Sequence, residues 1–234
     1  MEKVFFTNKK GMKLAGWLHM PKGKGPWPAL VKTHGWQGNK DGSSSTALIE
    51  PFLDMVYLRF DMHGHGESEG TLENYDAALC VDDVKNAVEF VYGLKEVDKS
   101  RVAVTGSSLG GLATTLAAAW SDKVALAVPV CPVSDFTPNH VSDIKYKNLI
   151  KLLGQENVYR EAEKIKIPVL VIHGDADDVV PIAQSIELIK HIKNGVQHTI
   201  RGADHTFSKE KDFKQMIEQI SEFVHERFHG KHKK

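Results

Sequence analysis

Residues 101–116 have the sequence RVAVTGSSLGGLATTL. Its second to fifth residues are apolar or β-branched, which predicts a buried strand over 102–105. A run of small and apolar residues from Leu109 to Trp120 favours a helix. Between them lies a G-x-S-x-G pattern, and this strand–turn–helix context predicts that Ser108 stands at the apex of a sharp turn. Gly106 and Gly110 suit such a turn because side chains beside the apical residue would collide.

The same residues would also suit a glycine-rich loop that only packs a helix onto a sheet. The two interpretations differ in what else the chain must contain. A reactive Ser108 needs a base, an acid that orients the base and an oxyanion site, all at the same edge of the sheet.

Length and composition restrict the possible classes of protein. We expect 234 residues to form a single domain over 1–234. Lys+Arg and Asp+Glu balance at 30 each, which argues against a nucleic-acid partner. Cys80 and Cys131 are too few for a disulfide framework and are expected to be buried thiols in a reducing compartment. The sequence shows neither a signal-peptide core nor a membrane-spanning run, so a cytoplasmic location is predicted.

Apolar segments predict eight strands, at 4–7, 13–20, 29–33, 55–60, 102–105, 124–130, 167–173 and 196–201. The first two form a hairpin, and helical patterns separate most of the later ones. This alternation predicts an α/β fold with a mostly parallel sheet covered by helices on both faces. Ligands of such sheets bind at the carboxyl ends of the strands. The polar segment at about 132–165 is expected to form a small helical lid, with amphipathic pieces at 144–153 and 158–165.

His205 follows the last predicted strand and is the candidate base, since imidazole titrates near neutral pH. A surface-loop histidine is the alternative. Four carboxylates are candidates for the acid. Asp175, Asp177 and Asp178 follow the penultimate strand, and Asp135 follows the strand before it. A carboxylate that does not orient His205 would serve as a turn former or helix cap.

Two backbone N–H groups are expected to form the oxyanion hole. One belongs to Leu109, directly after the apical serine, and the other to Trp36, in the loop after the 29–33 strand. The Trp36 side chain is expected to line the acyl pocket, with a core tryptophan as the alternative. His34, two residues earlier, is interpreted as a structural hydrogen-bonding group beneath this loop.

The remaining histidine clusters do not predict a metal site. His63 and His65 lie in a glycine-rich turn and are expected to have no cysteine or carboxylate set nearby, so a structural turn is predicted. His225, His229 and His232 are expected to lie on a solvated C-terminal helix that frays. A nucleophilic serine with a base and an acid needs no metal and no organic cofactor.

The chain resembles the serine α/β-hydrolases, especially small bacterial carboxylesterases that include cinnamoyl (feruloyl) esterases. The resemblance covers nearly the whole chain and rests on five motifs: 34–40 (HGWQGNK), 59–68 (RFDMHGHGES), 106–111 (GSSLGG), 173–181 (HGDADDVVP) and 204–205 (DH). It implies an eight-stranded α/β-hydrolase fold with a small helical lid. In two respects the chain departs from cinnamoyl esterases: its lid segment is shorter, and Ser107 replaces a histidine often found there.

The resemblance also implies residue roles. Ser108 matches the nucleophile, His205 the base and Asp177 the acid, while Trp36 and Leu109 match the oxyanion donors. The implied activity is hydrolysis of small carboxylic esters through an acyl-enzyme, by a monomer or homodimer. A peptidase or acyl-aminoacyl hydrolase, a thioesterase and a non-catalytic binding protein are the alternatives.

Overall fold

The computed structural model describes residues 1–135 and 158–230. Eight strands form one sheet: β1 (Glu2–Thr7), β2 (Lys13–His19), β3 (Trp27–Thr33), β4 (Val56–Phe60), β5 (Val97–Ser107), β6 (Leu126–Val130), β7 (Val169–Gly174) and β8 (Gly195–Ile200). The α-helices of these residues are α1 (Ser43–Ala47), α2 (Ala77–Tyr92), α3 (Leu109–Trp120), α4 (Val158–Ala162), α5 (Ala183–Lys190) and α6 (Glu210–His229), with single 3₁₀ turns at Glu50–Phe52 and Leu72–Asn74.

The strands lie in the order β1-β2-β4-β3-β5-β6-β7-β8. The β1–β2 hairpin is antiparallel, and β2 also pairs antiparallel with β4. All other neighbours are parallel. The predicted mostly parallel eight-stranded sheet is therefore confirmed, including the antiparallel opening.

Successive side chains of a strand point to opposite faces of the sheet, so the core forms two layers. In β4, Val56 and Leu58 face one layer while Tyr57 faces the other. The first layer packs against α2 and α3, and the second against α6. Since buried apolar residues point to both faces, helices must cover both sides of the sheet.

The segment predicted to be a lid, about 132–165, is only partly described. Its amphipathic piece at 144–153 lies outside the described residues. The piece at 158–165 forms α4, whose Val158 and Ala162 are buried in the core. No helix within 1–135 or 158–230 is both long and apolar enough to cross a membrane.

The C-terminal helix differs from the expectation of a fraying tail. α6 continues to His229, and His225 is only partly exposed, with its ring stacked on Phe52 at 5.0 Å between centroids. The apolar face of α6 extends far enough to hold this last turn against the chain. His232 lies outside the described residues.

Candidate active site

Ser108 occupies the sharp turn that the sequence predicts between β5 and α3. Its backbone has φ 56° and ψ −116°, a positive-φ conformation that non-glycine residues seldom adopt. A Cβ on Gly106 would lie 2.5 Å from the carbonyl oxygen of Gly110, and a Cβ on Gly110 would overlap the carbonyl of His34. Both glycines are therefore required by close approach of the backbone, as the pattern indicates.

His205 and Asp177 meet at the same edge of the sheet. Asp177 lies in the loop after β7 and His205 in the loop after β8, and the His205 Nδ1–H donates to Asp177 Oδ2 at 2.7 Å. This bond leaves the lone pair on Nε2. His205 and Ser108 line the same cavity, although no hydrogen bond joins their side chains in the part of the chain that the structure describes. Such bonds often form only in the substrate complex.

The Asp177 carboxylate is fully buried and has a partner at each oxygen. Oδ1 accepts from the N–H groups of Val179 and Val180 at 2.9 and 2.8 Å. Oδ2 accepts from His173 Nε2–H at 3.1 Å as well as from His205. Burial acts to raise the pKa of Asp177, but the bonds from both histidines and Val180 outweigh it and hold the pKa well below its ordinary value. The carboxylate is therefore ionised at neutral pH.

The other acid candidates have different surroundings. Asp175 accepts from the N–H of Gly202 at 2.5 Å, which ties the β7 loop to the β8 loop. Asp178 is exposed, and α5 starts only at Ala183, so Asp178 does not cap it. The backbone N–H of Asp135 donates to Gln184 Oε1 at 3.1 Å. The carboxylate that His205 contacts is that of Asp177.

The structure agrees with both interpretations of the Trp36 side chain, as a wall of the pocket and as a packed core residue. The ring lines the cavity, and it also packs edge-on against Tyr75 at 4.6 Å and His65 at 5.5 Å between centroids. The next residue, Gln37, has a φ of 58°, and its N–H donates to His65 Nε2 at 3.2 Å. His65 thus holds the loop that carries the Trp36 N–H. On the opposite side of the turn, the N–H of Leu109 lies at the N-terminus of α3, where backbone N–H groups have no partner within the helix.

His34 is the structural hydrogen-bonding group that the sequence predicts. Its Nδ1–H donates to the carbonyl of Gly35 at 2.7 Å, and its Nε2 accepts from the N–H of Met62 at 3.0 Å. Burial lowers the pKa of His34 to about 3, against the smaller raising effect of the Gly35 bond. The neutral ring therefore joins the Trp36 loop to the loop after β4.

The expectation that the His63 turn has no cysteine or carboxylate nearby was wrong. His63 Nδ1–H donates to Asp83 Oδ2 at 2.6 Å, and Cys80 lies beside them. Both partners come from α2, which passes under the turn, so sequence distance hid them. All three residues are buried, and the interpretation of a structural turn now has a physical basis: a buried carboxylate fastens it to a helix.

The cavity beside Ser108 has a volume of about 380 Å³. Sequence reasoning missed most of its wall, which comprises Ser43, Ser44, Val179, Thr206, Phe207, Phe213 and Met216. The sequence periodicity of α6 places Phe213 and Met216 on its apolar face and gives no signal that they also reach a cavity. Cys131, another missed residue, lies buried beside Asp177 and His205, and burial raises the pKa of its thiol.

Backbone strain is concentrated at this edge of the sheet. Among the described residues, four non-glycine residues have positive φ: Gln37, Ser108, Cys131 and Phe207. Each lies in a loop that follows the carboxyl end of β3, β5, β6 or β8. Strained residues of this kind cluster at functional sites, where the surrounding structure holds them in place.

The family model of the prolyl oligopeptidase family (Peptidase_S9) matches residues 51–231, more than half of the chain. The chain belongs to that family. It has the α/β-hydrolase fold and is a serine hydrolase, as the sequence resemblance implies.

Proteins similar to this chain differ in the activity that their names state. Est1E from Butyrivibrio proteoclasticus, solved with ferulic acid bound, is 26% identical with a TM-score of 0.83, covering 95% of this chain and 98% of that one. The mitochondrial palmitoyl-protein thioesterase ABHD10 of Bos taurus is 27% identical, over 86% of this chain and 74% of that protein. The uncharacterized peptidase YuxL of Bacillus subtilis is 25% identical, over 94% of this chain but 37% of that protein.

Proposed function

We propose that this serine hydrolase is a carboxylesterase that cleaves small carboxylic esters through an acyl-enzyme. Ser108 is the nucleophile, His205 the base and Asp177 the acid that orients it. The observation that carries the proposal is the 2.7 Å bond from His205 to the buried Asp177, on the cavity that Ser108 also lines. A merely structural glycine-rich turn would not need this pair.

The hydrogen bonds support a chemical step for each residue of the proposed triad. Because Nδ1–H is donated to Asp177, His205 Nε2 is the atom that takes the proton from Ser108 Oγ as the oxygen attacks the ester carbonyl. The same proton then passes to the leaving alcohol. A water molecule, deprotonated by Nε2, next attacks the acyl-enzyme, and the carboxylic acid leaves as Ser108 regains its proton.

Two backbone N–H groups stabilise the tetrahedral oxyanion, those of Trp36 and Leu109. A single donor of this kind contributes roughly 2.7–4 kcal/mol to transition-state stabilisation. The bond from Gln37 to His65 supports this role because it fixes the loop one residue beyond Trp36. The ionised Asp177 stabilises the imidazolium that forms at each step.

The cavity favours a small apolar acyl group. Its volume of about 380 Å³ is near the lower end of the range of roughly 300–1,000 Å³ for small-molecule sites. Trp36, Phe207, Phe213 and Met216 supply an apolar wall. The likeness to Est1E makes a hydroxycinnamoyl ester a second substrate class to measure, although Ser107 and the shorter lid segment differ from the cinnamoyl esterase pattern.

Turnover of p-nitrophenyl esters tests this proposal. We expect kcat/KM to be highest for acetate or butyrate and to decline for longer chains, with methyl ferulate measured in parallel. Ser108→Ala should abolish turnover, while the neighbouring Ser107→Ala should retain most of it as the matched control. Equal activity of the Ser108→Ala and Ser107→Ala variants would exclude Ser108 as the nucleophile.

Thioester hydrolysis is the second candidate, because the likeness to bovine ABHD10 extends over most of this chain. An oxyanion hole and triad act on thioesters by the same steps. Comparing kcat/KM for matched butyryl oxygen ester and butyryl thioester separates the two activities. An aminoacyl p-nitroanilide adds the peptidase alternative, which the family membership favours. A higher kcat/KM for either of these than for the oxygen ester would replace the carboxylesterase assignment.

A further inference from the structure

The last turn of α6 carries two histidines that face one carboxylate. His225 and His229 are four residues apart and so lie on the same face of the helix. Asp54, in the connection before β4, reaches both rings: Oδ1 lies 3.2 Å from His225 Nε2, and Oδ2 lies 3.6 Å from His229 Nε2. All three potential ligand atoms lie within 4.8 Å of one another.

The His225 ring is fixed in the orientation that a metal ligand needs. Its Nδ1–H donates to the carbonyl of Ser221 at 2.8 Å, so the lone pair is on Nε2. Histidines that bind metals almost always make such a bond with the other ring nitrogen. Stacking on Phe52 at an interplanar angle of 16° prevents the ring from turning away.

This arrangement directs the Nε2 lone pair of His225 toward an oxygen of Asp54. Two acceptors separated by 3.2 Å repel each other unless a positive charge lies between them. That charge is either a proton on Nε2 or a metal ion. The second histidine, whose Nε2 lies 3.6 Å from the other carboxylate oxygen, favours the metal ion because one ion can bind all three groups at once.

We propose that Asp54, His225 and His229 form a binding site for a divalent first-row transition metal ion, of which Zn²⁺ is the best fit. Two imidazoles and a carboxylate are a ligand set that Zn²⁺ accepts, whereas Mg²⁺ and Ca²⁺ require oxygen ligands. The partly exposed side chains leave room for water at the remaining position. The ion would join the end of α6 to the connection that precedes β4.

The site is separate from the candidate active site. Asp54 lies before the first residue of β4, whereas the loops of Ser108, Asp177 and His205 follow the carboxyl ends of their strands. Elsewhere in residues 1–135 and 158–230, two other groups have metal-ligand geometry. The group His63–Cys80–Asp83 is buried and already hydrogen-bonded. The group Cys131–Asp177–His205 contains two residues of the proposed triad. The inference therefore does not depend on the proposed function.

Zinc binding to the metal-free full-length protein tests the proposal. Competition with a chromophoric zinc chelator should show one strong equivalent. We expect Asp54→Asn, His225→Gln and His229→Gln each to weaken that equivalent at least tenfold. His191→Gln is the matched control, because His191 also lies on the surface beside two carboxylates, Glu163 at 3.0 Å and Glu187 at 3.4 Å. It should bind zinc like the unmodified chain.

Two further measurements test the ligand role of Asp54 and the stabilisation of the fold by the metal ion. Bound Co²⁺ should give visible d–d absorption that the Asp54→Asn variant loses, and ester turnover should be unchanged in that variant, which shows that it is folded. With zinc at a hundred times its Kd, Tm should rise by about 5–10 °C in the unmodified chain and much less in Asp54→Asn. Equal zinc affinity of the Asp54→Asn and His191→Gln variants, or no zinc binding by the unmodified chain, would overturn the proposal and leave only a direct contact between His225 and Asp54.

Discussion

The Nδ1 atom of His205 lies 2.7 Å from Oδ2 of Asp177, and the same oxygen accepts a bond from His173 Nε2 at 3.1 Å. One buried carboxylate oxygen thus orients two imidazoles. His173 is itself fixed, because its Nδ1 accepts from the hydroxyl of Ser185 at 2.6 Å. The chain of contacts from α5 to His205 means that the proposed base is positioned by residues well outside the cavity.

Asp177→Asn should lower kcat by about 10³–10⁴-fold with little change in KM, because an amide cannot stabilise the imidazolium and favours the wrong tautomer of His205. The measurement is ester hydrolysis by protein whose circular dichroism matches the unmodified chain. Asp178→Asn, one residue away and exposed, is the control and should stay within a factor of about 2. A kcat loss of less than tenfold in Asp177→Asn would argue against Asp177 as the acid.

Stability should depend on pH through His34. Burial lowers the pKa of His34 to about 3 in the folded state, whereas the unfolded chain takes up this proton near pH 6.5. Between these values the unfolded state binds more protons, so stability rises with pH and falls on acidification. From pH 6.5 to pH 5, this group should remove about 1.5 kcal/mol from the free energy of unfolding.

Urea unfolding at several pH values between 7 and 5 measures this effect. His34→Gln should be less stable at pH 7 but should lose less stability on acidification than the unmodified chain. The range stops at pH 5 because Asp177, whose pKa is lowered, adds its own acid destabilisation only nearer the pKa of a free carboxyl, about 4. Parallel pH profiles for the two proteins would contradict the role given to His34.

His65→Leu should lower kcat for ester hydrolysis by about tenfold, since the Gln37 N–H loses its acceptor and the Trp36 loop loses its support. Burial lowers the pKa of His65 and keeps Nε2 available as an acceptor near neutral pH. His65→Gln, which can still accept, should recover part of the loss. His198→Gln on β8 is the control. Equal kcat in the Leu and Gln variants would show that His65 acts only by packing.

Much of the fold and of the candidate site follows from local patterns. The G-x-S-x-G turn, the β-strand periodicity and the position of His205 after the last strand each depend on a few neighbouring residues. The parallel sheet then brings their loops to one edge. Asp177 could be chosen over Asp175 and Asp178 only through a family resemblance, because composition alone does not say which carboxylate of one turn faces the imidazole.

The features that the sequence does not predict depend on contacts between segments far apart along the chain. Nothing near His63 in the sequence indicates Asp83, which is brought to it by α2, and nothing near His225 indicates Asp54. The positive φ of Gln37 is likewise maintained by His65 from another loop. The order of the last turn of α6 escapes sequence-based prediction for the same reason, since its stacking partner Phe52 lies far away along the chain.

Gly110→Ala should impair both stability and activity, because the new Cβ would overlap the carbonyl oxygen of His34. That carbonyl cannot easily retreat, since both ring nitrogens of His34 are hydrogen-bonded to backbone on either side. Overpacking of this kind costs about 1–3 kcal/mol. Activity should fall further than the loss of folded protein explains, because the clash separates the Ser108 turn from the Trp36 loop, and a 1 Å displacement can cost about a hundredfold in rate.

Gly93→Ala is the control for Gly110→Ala, because it replaces a glycine by alanine where no clash is expected. A Cβ there would meet the carbonyls of Glu89 and Phe90 at 3.4 Å, an ordinary contact, and the residue has a φ of −72° that alanine adopts readily. It should therefore be neutral or up to about 1 kcal/mol more stable in urea unfolding, with unchanged kcat/KM. If Gly110→Ala behaved like Gly93→Ala in both measurements, the turn would tolerate a side chain, and the close approach of α3 to the His34 carbonyl would not be what fixes Ser108.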